Sequence, residues 1–337
     1  VPAMTVFGKH DRVFVAWTGI SRRSEQISEN LHMSYFRFDR SSGNILGRFG
    51  KLLANFLRTL MLLFKVKPKT LFMYHVHPFI SCTGLIYKSI SGCRLVCDLH
   101  TGAFMGYHVF PLTILNYYLW QKADCILLHN RESGRFLGSK HRSLVQKIFV
   151  LEDPIPVFPK HDESLVGKWN VDGISGLLIS RFRPDEPIEA FLEAAHNFPS
   201  IKFFLTGKYE AARFPLLELV PQNVNLTGFI PDNEYINLLR SVNFIVVLTN
   251  WEMTLVSGGY ETLAVEKPLI VSDTRTLRDY YSKHVVYSEN SPDGISQAIA
   301  KLIGNLDQYE SLIKELSKQK KEEWDEKKSQ LLVKLSL

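Results

Sequence analysis

The sequence predicts an α/β protein made of two doubly wound halves, each a parallel sheet with helices on its faces. Three observations predict it. Short apolar runs alternate with helix-length amphipathic segments almost throughout the 337 residues, the alternation that strand–helix–strand units produce. The alternation stops at residues 152–164 (EDPIPVFPKHDES), where three prolines forbid a helix or central strand, and then restarts. The chain is also long enough for two domains of ordinary size. The expected division is into two Rossmann-like domains, 4–157 and 158–337, with the default ligand site in the cleft they face across.

In the first half the expected strands are 13–17, 34–38, 70–76, 94–98, 125–129 and 148–151, with helices at 22–31, 52–64 and 112–122. Val1, Pro2 and Ala3 precede Met4 and are set aside as a tag remnant. The apolar helix 52–64 is interrupted by Arg58 and flanked by Arg48, Lys51, Lys65, Lys67 and Lys69. It is too short to span a bilayer. It reads as a helix packed on the sheet with a snorkelling basic rim, or as an in-plane membrane contact near a lipid-linked substrate. The second half has expected strands at 176–180, 202–206, 223–226, 244–248, 268–272 and 285–287. The tail after Leu306 is one charge-rich helical pattern, read as a solvated helix with i,i+4 pairs.

Composition narrows the class. Hydrophobic residues make up 45% and charged residues 22%, the proportions of a globular protein. A net charge of +6 favours an anionic partner: a nucleotide, anionic lipid or nucleic acid. Cys82, Cys93, Cys97 and Cys125 are scattered among apolar runs and read as reduced core residues of a cytoplasmic protein. The turn after the first strand, residues 17–24 (WTGISRRS), has one glycine and does not match the dinucleotide fingerprint, which argues against a nicotinamide dehydrogenase. It offers hydroxyls and arginines to a ligand, or simply a capped helix start with exposed Arg. P-loop, GxSxG and HExxH patterns are absent. His75 and His77 are spaced as a metal pair without further ligands in a matching pattern, so no metal is expected.

The densest chemistry lies at residues 248–273 (LTNWEMTLVSGGYETLAVEKPLIVSD). Ser257, Gly258 and Gly259 put bare amides where a helix begins, a phosphate site by virtue of unpaired N–H groups and the macrodipole. Glu261, one turn in, suits sugar hydroxyls instead. Other strand ends converge on the same sheet edge. Arg181 follows the first strand of the second half, placed to fork onto a diphosphate. Gly207 with Lys208, and Gly228 with Phe229 and Ile230, end the next two strands, and the glycines allow a planar base to approach the backbone. In the first half Asp98 and His100 end a strand and, at i and i+2, point the same way. The pair could take or give an acceptor proton, or could close a turn. His75, His77, His129 and Asn130 also end strands.

These residues resemble the GT-B glycosyltransferases, particularly the family 4 type. The resemblance runs from about 177 to 281 and rests on residues 179–181 (ISR), 205–207 (LTG), 226–229 (LTGF), 259–264 (GYETLA) and 267–272 (KPLIVS). The first half is more diffuse, with residues 98–102 (DLHTG) where such enzymes often keep a His near the reacting sugar. The resemblance implies a UDP- or GDP-linked sugar donor held by the second half and a glycan or lipid-linked glycan acceptor held by the first, as in polysaccharide biosynthesis. No cofactor, metal or nucleic acid is implied. By position, Glu261 would bind ribose, Ser257, Gly258, Gly259 and Arg181 the diphosphate, and Gly228 to Ile230 the base. Two positions depart from the pattern. Met253 stands where the first of two glutamates is usual, with Glu252 one residue away. Residues 185–187 (DEP) stand where a phosphate-binding Lys is usual, so Arg183 or Lys208 would have to substitute. The expectation is a metal-independent hexosyltransferase, cytoplasmic or peripheral on the inner face of the membrane. A nucleotide-sugar 2-epimerase and a non-catalytic nucleotide-sugar binder are the alternatives.

Overall fold

The computed structural model describes residues 3–6, 11–19, 21–38, 45–75, 77–100, 103, 110–160, 169, 172–209, 218 and 220–336, and for 3–6, 45–49 and 110–113 the backbone alone. Ile20, Val76, Thr101, Gly102, residues 104–109 and residues 161–164 of the expected linker lie outside the described residues, as does the Arg48 side chain. The chain divides into two compact units: Val1–Pro154 with Trp324–Leu337, and Ile155–Glu323.

The first unit is built on a seven-stranded sheet among the described residues, in the order β1-β3-β2-β4-β5-β6-β7. These strands are β1 (Ala3–Val6), β2 (Arg12–Trp17), β3 (Ser34–Phe38), β4 (Thr70–His75), β5 (Arg94–Leu99), β6 (Cys125–Leu128) and β7 (Ile148–Val150). All pair in parallel except β1, which runs antiparallel to β3 with Ala3 opposite Arg37. β2 and β4–β6 read as near-continuous apolar runs because helices cover both faces of the sheet. On one face lie α2 (Ile45–Val66), α3 (Pro78–Ser91), α4 (Phe110–Lys122) and α5 (Arg131–Lys140), packed over Val13, Val15, Leu71, Met73, Leu95 and Cys97. On the other, α1 (Arg22–Asn30) covers Phe14, Tyr35, Phe72 and Val96. Local chemistry sets the helix ends. Ser21 caps α1 by accepting the Ser24 N–H, and Asn130 caps α5 by accepting the Ser133 N–H. Pro78 opens α3, and Gly92, at φ +71°, closes it in the left-handed region.

Among the described residues the second unit has a six-stranded, wholly parallel sheet in the order β10-β9-β8-β11-β12-β13. Its strands are β8 (Ser175–Leu178), β9 (Lys202–Thr206), β10 (Val224–Gly228), β11 (Phe244–Val247), β12 (Leu269–Ser272) and β13 (Val286–Ser288). The helices are α6 (Ile188–Ala195), α7 (Asp232–Ser241), α8 (Ser257–Val265), α9 (Arg275–Tyr281), α10 (Pro292–Ile303) and α11 (Leu306–Lys334). The chain winds outward from β8 to β10, then returns to lay β11 on the other side of β8. The carboxyl ends of β8 and β11 therefore flank a topological switch point, where open α/β sheets bind ligands.

Three sequence expectations need correction. Ala3, set aside with the leading residues, opens the edge strand β1, whose four residues are too few for a periodic signal. The tail is one helix, but not a solvated one. Ile313 and Leu316 enter the core of the second unit, and Trp324, Leu331 and Leu335 enter the core of the first. Trp324 Nε1 donates to the Glu152 carbonyl at 3.0 Å, and Lys327 Nζ meets both Glu152 carboxylate oxygens at 2.8 and 2.6 Å. The segment from Trp324 thus groups with the first unit rather than with 158–323. The ion pairs along this helix are at i,i+3, Lys320 with Glu323 and Lys328 with Asp325.

Candidate functional site

At the end of β5 the Asp98 carboxylate is wholly buried. Arg23, one residue into α1 from its first position, reaches it with Nε at 3.3 Å and Nη2 at 3.0 Å from Oδ1. The same guanidinium donates from Nη1 to Asp153 Oδ1 at 2.5 Å. Burial opposes the Asp98 charge, but the Arg23 guanidinium and His100 outweigh it and hold the carboxyl well below the usual range. Asp98 is therefore an anion and a weak base. His100 Nε2 lies 3.6 Å from Asp98 Oδ2, within electrostatic reach but too far for a hydrogen bond. The His100 ring packs against Tyr74 at 4.4 Å and stacks on His129 at 5.7 Å between centroids. Burial, then the nearby His100 and Arg23, pull His129 down to about 4, so its imidazole is neutral at neutral pH. Burial, then Asp98, raise the Tyr74 phenol.

The other strand-end histidines serve the fold. His75 is fully buried, with Nδ1 2.6 Å from Ser81 Oγ and Nε2 2.9 Å from Asn116 Oδ1. His77 caps α3. No cluster of His, Cys, Asp and Glu that could hold a metal ion occurs among the described residues. The four cysteines are free, and burial pushes the Cys97 and Cys125 thiols up to about 12, which leaves them protonated core groups.

In the second unit the predicted residues gather at the carboxyl edge of the sheet. α8 starts after Val256 with no side-chain cap on its first amides. Gly259 is required for packing: a Cβ there would lie 1.9 Å from the Tyr281 hydroxyl. A Cβ at Gly258 would lie 3.1 Å from both Ile179 and Val247, a tight contact though less severe. The glycines thus draw the helix N-terminus down onto the sheet, but the Gly259 N–H, expected to be bare, donates to the Val256 carbonyl at 3.0 Å. Glu261 is buried within α8 and accepts a hydrogen bond from the Tyr235 hydroxyl of α7 at Oε2.

Arg181 follows β8 and is exposed. The turn that carries it is held by Glu186, whose carboxylate accepts from the Arg181 and Arg183 N–H groups and from Ser180 Oγ. Phe182, at φ +55°, makes these amides converge. Gly207, at φ +116°, ends β9 against this turn, and a Cβ there would lie 2.5 Å from the Ser180 carbonyl oxygen. Lys208 Nζ sits 5.4 Å over the ring of Phe229, which follows Gly228 at the end of β10 and is 75% exposed. Ile230 is instead half-buried against the apolar core. Met253 is buried, and Glu252 accepts the Thr276 N–H at 3.0 Å, so that carboxylate caps α9.

Each unit thus assembles its own set of predicted residues. Sequence reasoning missed Asp153, Tyr74 and Tyr235, along with the inward turn of Arg23. Arg23 lies 75 residues from Asp98 and 130 from Asp153, and no local pattern marks such partners.

Residues 167–319 match the model of the family described as glycosyl transferases group 1, and the match falls inside the second unit. The whole chain is similar in structure to sucrose-phosphate synthase from Thermosynechococcus elongatus, with 12% identity, 95% of this chain and 97% of that one covered, and a TM-score of 0.73. It is similar also to HepE of Anabaena, solved in complex with UDP and glucose: 13% identity, 97% and 99% covered, TM-score 0.72. A UDP-forming trehalose-phosphate synthase from Burkholderia xenovorans superposes at 8% identity, 96% and 98% covered, TM-score 0.67. The chain has the GT-B fold, and its second unit carries the match to the group 1 glycosyl transferases. At these identities the structural likeness speaks for the fold, and the family match speaks for the second unit. Among curated proteins, no sequence matches the chain. No helix among the described residues of this chain is long and apolar enough to cross a membrane.

Proposed function

We propose that this chain is a glycosyltransferase that moves a hexosyl group from a UDP- or GDP-linked donor onto the hydroxyl of a glycan or lipid-linked glycan. One observation carries the reading: the uncapped N-terminus of α8, buried Glu261 and exposed Arg181 all lie at the switch point of the second unit. Helix amides and a guanidinium suit a diphosphate and stabilise the charge that builds on it as it leaves, a role that needs no metal. Glu261, oriented by Tyr235, would accept the ribose hydroxyls. Gly207 and Gly228 would admit the base beside Lys208 and Phe229.

In the first unit the acceptor hydroxyl would meet His100. Asp98 is too weak a base to take its proton, so the two residues divide the work. His100 would carry the proton, and Asp98, fixed by Arg23, would stabilise the imidazolium that results. A lipid-carried acceptor would bring the enzyme to the cytoplasmic surface of a membrane as a peripheral protein.

A thermal-shift series with UDP, GDP, ADP, CDP and NAD tests the reading, since a ligand of the native state raises Tm. Stabilisation by one nucleoside diphosphate is expected, with UDP first because HepE is solved with it. Stabilisation by NAD alone, or by none of the five, would overturn the reading. One observation favours a second reading, a donor binder without turnover: Met253 is buried and Glu252 is committed to capping α9. Donor binding with neither transfer nor hydrolysis would select it, and conversion of the donor without an acceptor would select an epimerase.

A further inference from the structure

The outer sides of α2, α3 and α4 leave large apolar side chains in solvent. On α2, Leu53, Leu57, Met61 and Phe64 are 61, 50, 64 and 41% exposed. Their spacing of four, four and three residues draws one stripe along a helix. α3 adds Ile90 and α4 adds Ile114, at 69 and 57%. The opposite sides of the same helices are already spent on the sheet: Leu63, Ile80, Tyr87 and Trp120 all lie in the core. α3 packs between α2 and α4, with the Phe64 and Tyr87 rings edge to face at 5.5 Å. This is a second apolar face rather than a scatter of single exposed residues.

Its charge is predominantly of one sign. Between Asp39 and Asp124 the sequence holds ten Lys and Arg and a single carboxylate, Asp98. Asp98 is buried on Arg23, and the acids at the rim, Asp124 and Asp11, are paired with Lys88 and Lys69, so the excess along the face is basic. The first unit as a whole has 23 basic and 11 acidic residues, the second 17 and 23. Lys51, Arg58 and Lys65 are exposed along the α2 stripe. Where α2 and α3 end there is a hollow of about 390 Å³, walled by Phe64, Tyr87 and Ile90 and edged by Lys67.

We infer that the α2–α3–α4 face is a docking surface for an anionic lipid bilayer, on which the enzyme lies without crossing it. Apolar side chains would enter the acyl boundary while long basic side chains reach the headgroup phosphates. A second copy of the same face is a poor occupant, because it would set basic residues against basic residues. The inference deepens the membrane part of the proposed function and uses none of the donor-site residues, so the two fail separately.

The test is flotation of the full chain with phosphatidylcholine vesicles, with and without phosphatidylglycerol. Binding only to the anionic vesicles, weakened by salt, is expected. Leu57→Glu/Met61→Glu places acids on an already exposed stripe and should weaken binding at least about tenfold, with Tm and the UDP-induced shift unchanged. Arg58→Gln/Lys65→Gln should flatten the salt dependence. Absence of wild-type binding, equal binding to neutral vesicles, or undiminished binding of the Leu57→Glu/Met61→Glu variant would overturn the inference. So would self-association of the wild type in sedimentation that this variant abolishes, which would assign the face to a second copy.

Discussion

The carboxylate of Glu186 holds the backbone N–H of Arg181, not its guanidinium, at 2.9 Å. With the Arg183 N–H and the Ser180 hydroxyl it completes a small ring of donors around one carboxylate, and the Arg181 side chain is left outside that ring and exposed. A residue of the segment 185–187, where the resemblance led us to expect a Lys, therefore shapes the turn that presents Arg181. Glu186→Ala should cost charge-assisted hydrogen bonds, about 1.5–3 kcal/mol shared between stability and donor affinity. UDP titration by calorimetry reads the second part. Affinity and Tm both equal to wild type would show the ring to be idle.

Glu261→Ala should weaken donor binding by about 1.5–3 kcal/mol through lost charged hydrogen bonds. Tyr235→Phe removes the phenol that orients Glu261 and should cost less, about 0.5–1.5 kcal/mol. Calorimetric titration of both variants checks the order. An unchanged affinity in Glu261→Ala would remove that residue from the donor site.

Asp98→Asn leaves the Arg23 guanidinium buried with Asp153 as its remaining carboxylate. Breaking a buried pair from one side costs about 3–5 kcal/mol. Urea denaturation should show a fall of this order in unfolding free energy, and transfer activity should fall with it. Full stability with lost activity would mean that Asp98 serves the chemistry alone.

His129 ties stability to pH. Its folded value of about 4 lies below the unfolded value of about 6.5. On acidification the unfolded chain takes the proton first, so the folded state is favoured less as pH falls from about 6.5 to about 4, by an amount on the order of 3 kcal/mol. Urea midpoints across this window should fall in the wild type and fall less in His129→Asn. Parallel profiles would count against a neutral buried imidazole.

Gly259→Ala tests why glycine stands at the start of α8. The added methyl meets the Tyr281 hydroxyl, and overpacking costs about 1–3 kcal/mol. Removing that hydroxyl in a Gly259→Ala/Tyr281→Phe double variant should restore part of the lost Tm. A Gly259→Ala protein of unchanged Tm but weakened UDP binding would shift the reason from packing to the ligand.

The sheets were legible because buried parallel strands are apolar along their whole length, as at Val13, Phe14 and Val15 or Phe244, Ile245 and Val246. β1 was not, being four residues long. The burial of α11 was hidden because Ile313, Trp324 and Leu331 are embedded among lysines and glutamates that dominate a local reading. At the site, Asp98 and His100 could be paired by strand periodicity. Their partner Arg23 comes from a different strand–helix unit, and the turn held by Glu186 depends on the left-handed conformation of Phe182, a residue whose type gives no hint of it. Ile230 was placed at the base by its position in the resemblance, and that its branched side chain also packs on the core could not be read from the sequence.

The path of α11 has a consequence for synthesis. Phe14, Tyr35, Phe72 and Leu127 share their cluster with Trp324, Leu331 and Leu335, which leave the ribosome only after the whole of Ile155–Glu323. While Ile155–Glu323 is being translated, the nascent first unit keeps part of an apolar surface uncovered, a state open to chaperones and to misassembly. Maturation of the amino-terminal half is thus deferred until α11 has been made, and a truncation ahead of Trp324 would be felt there, hundreds of residues from the lesion.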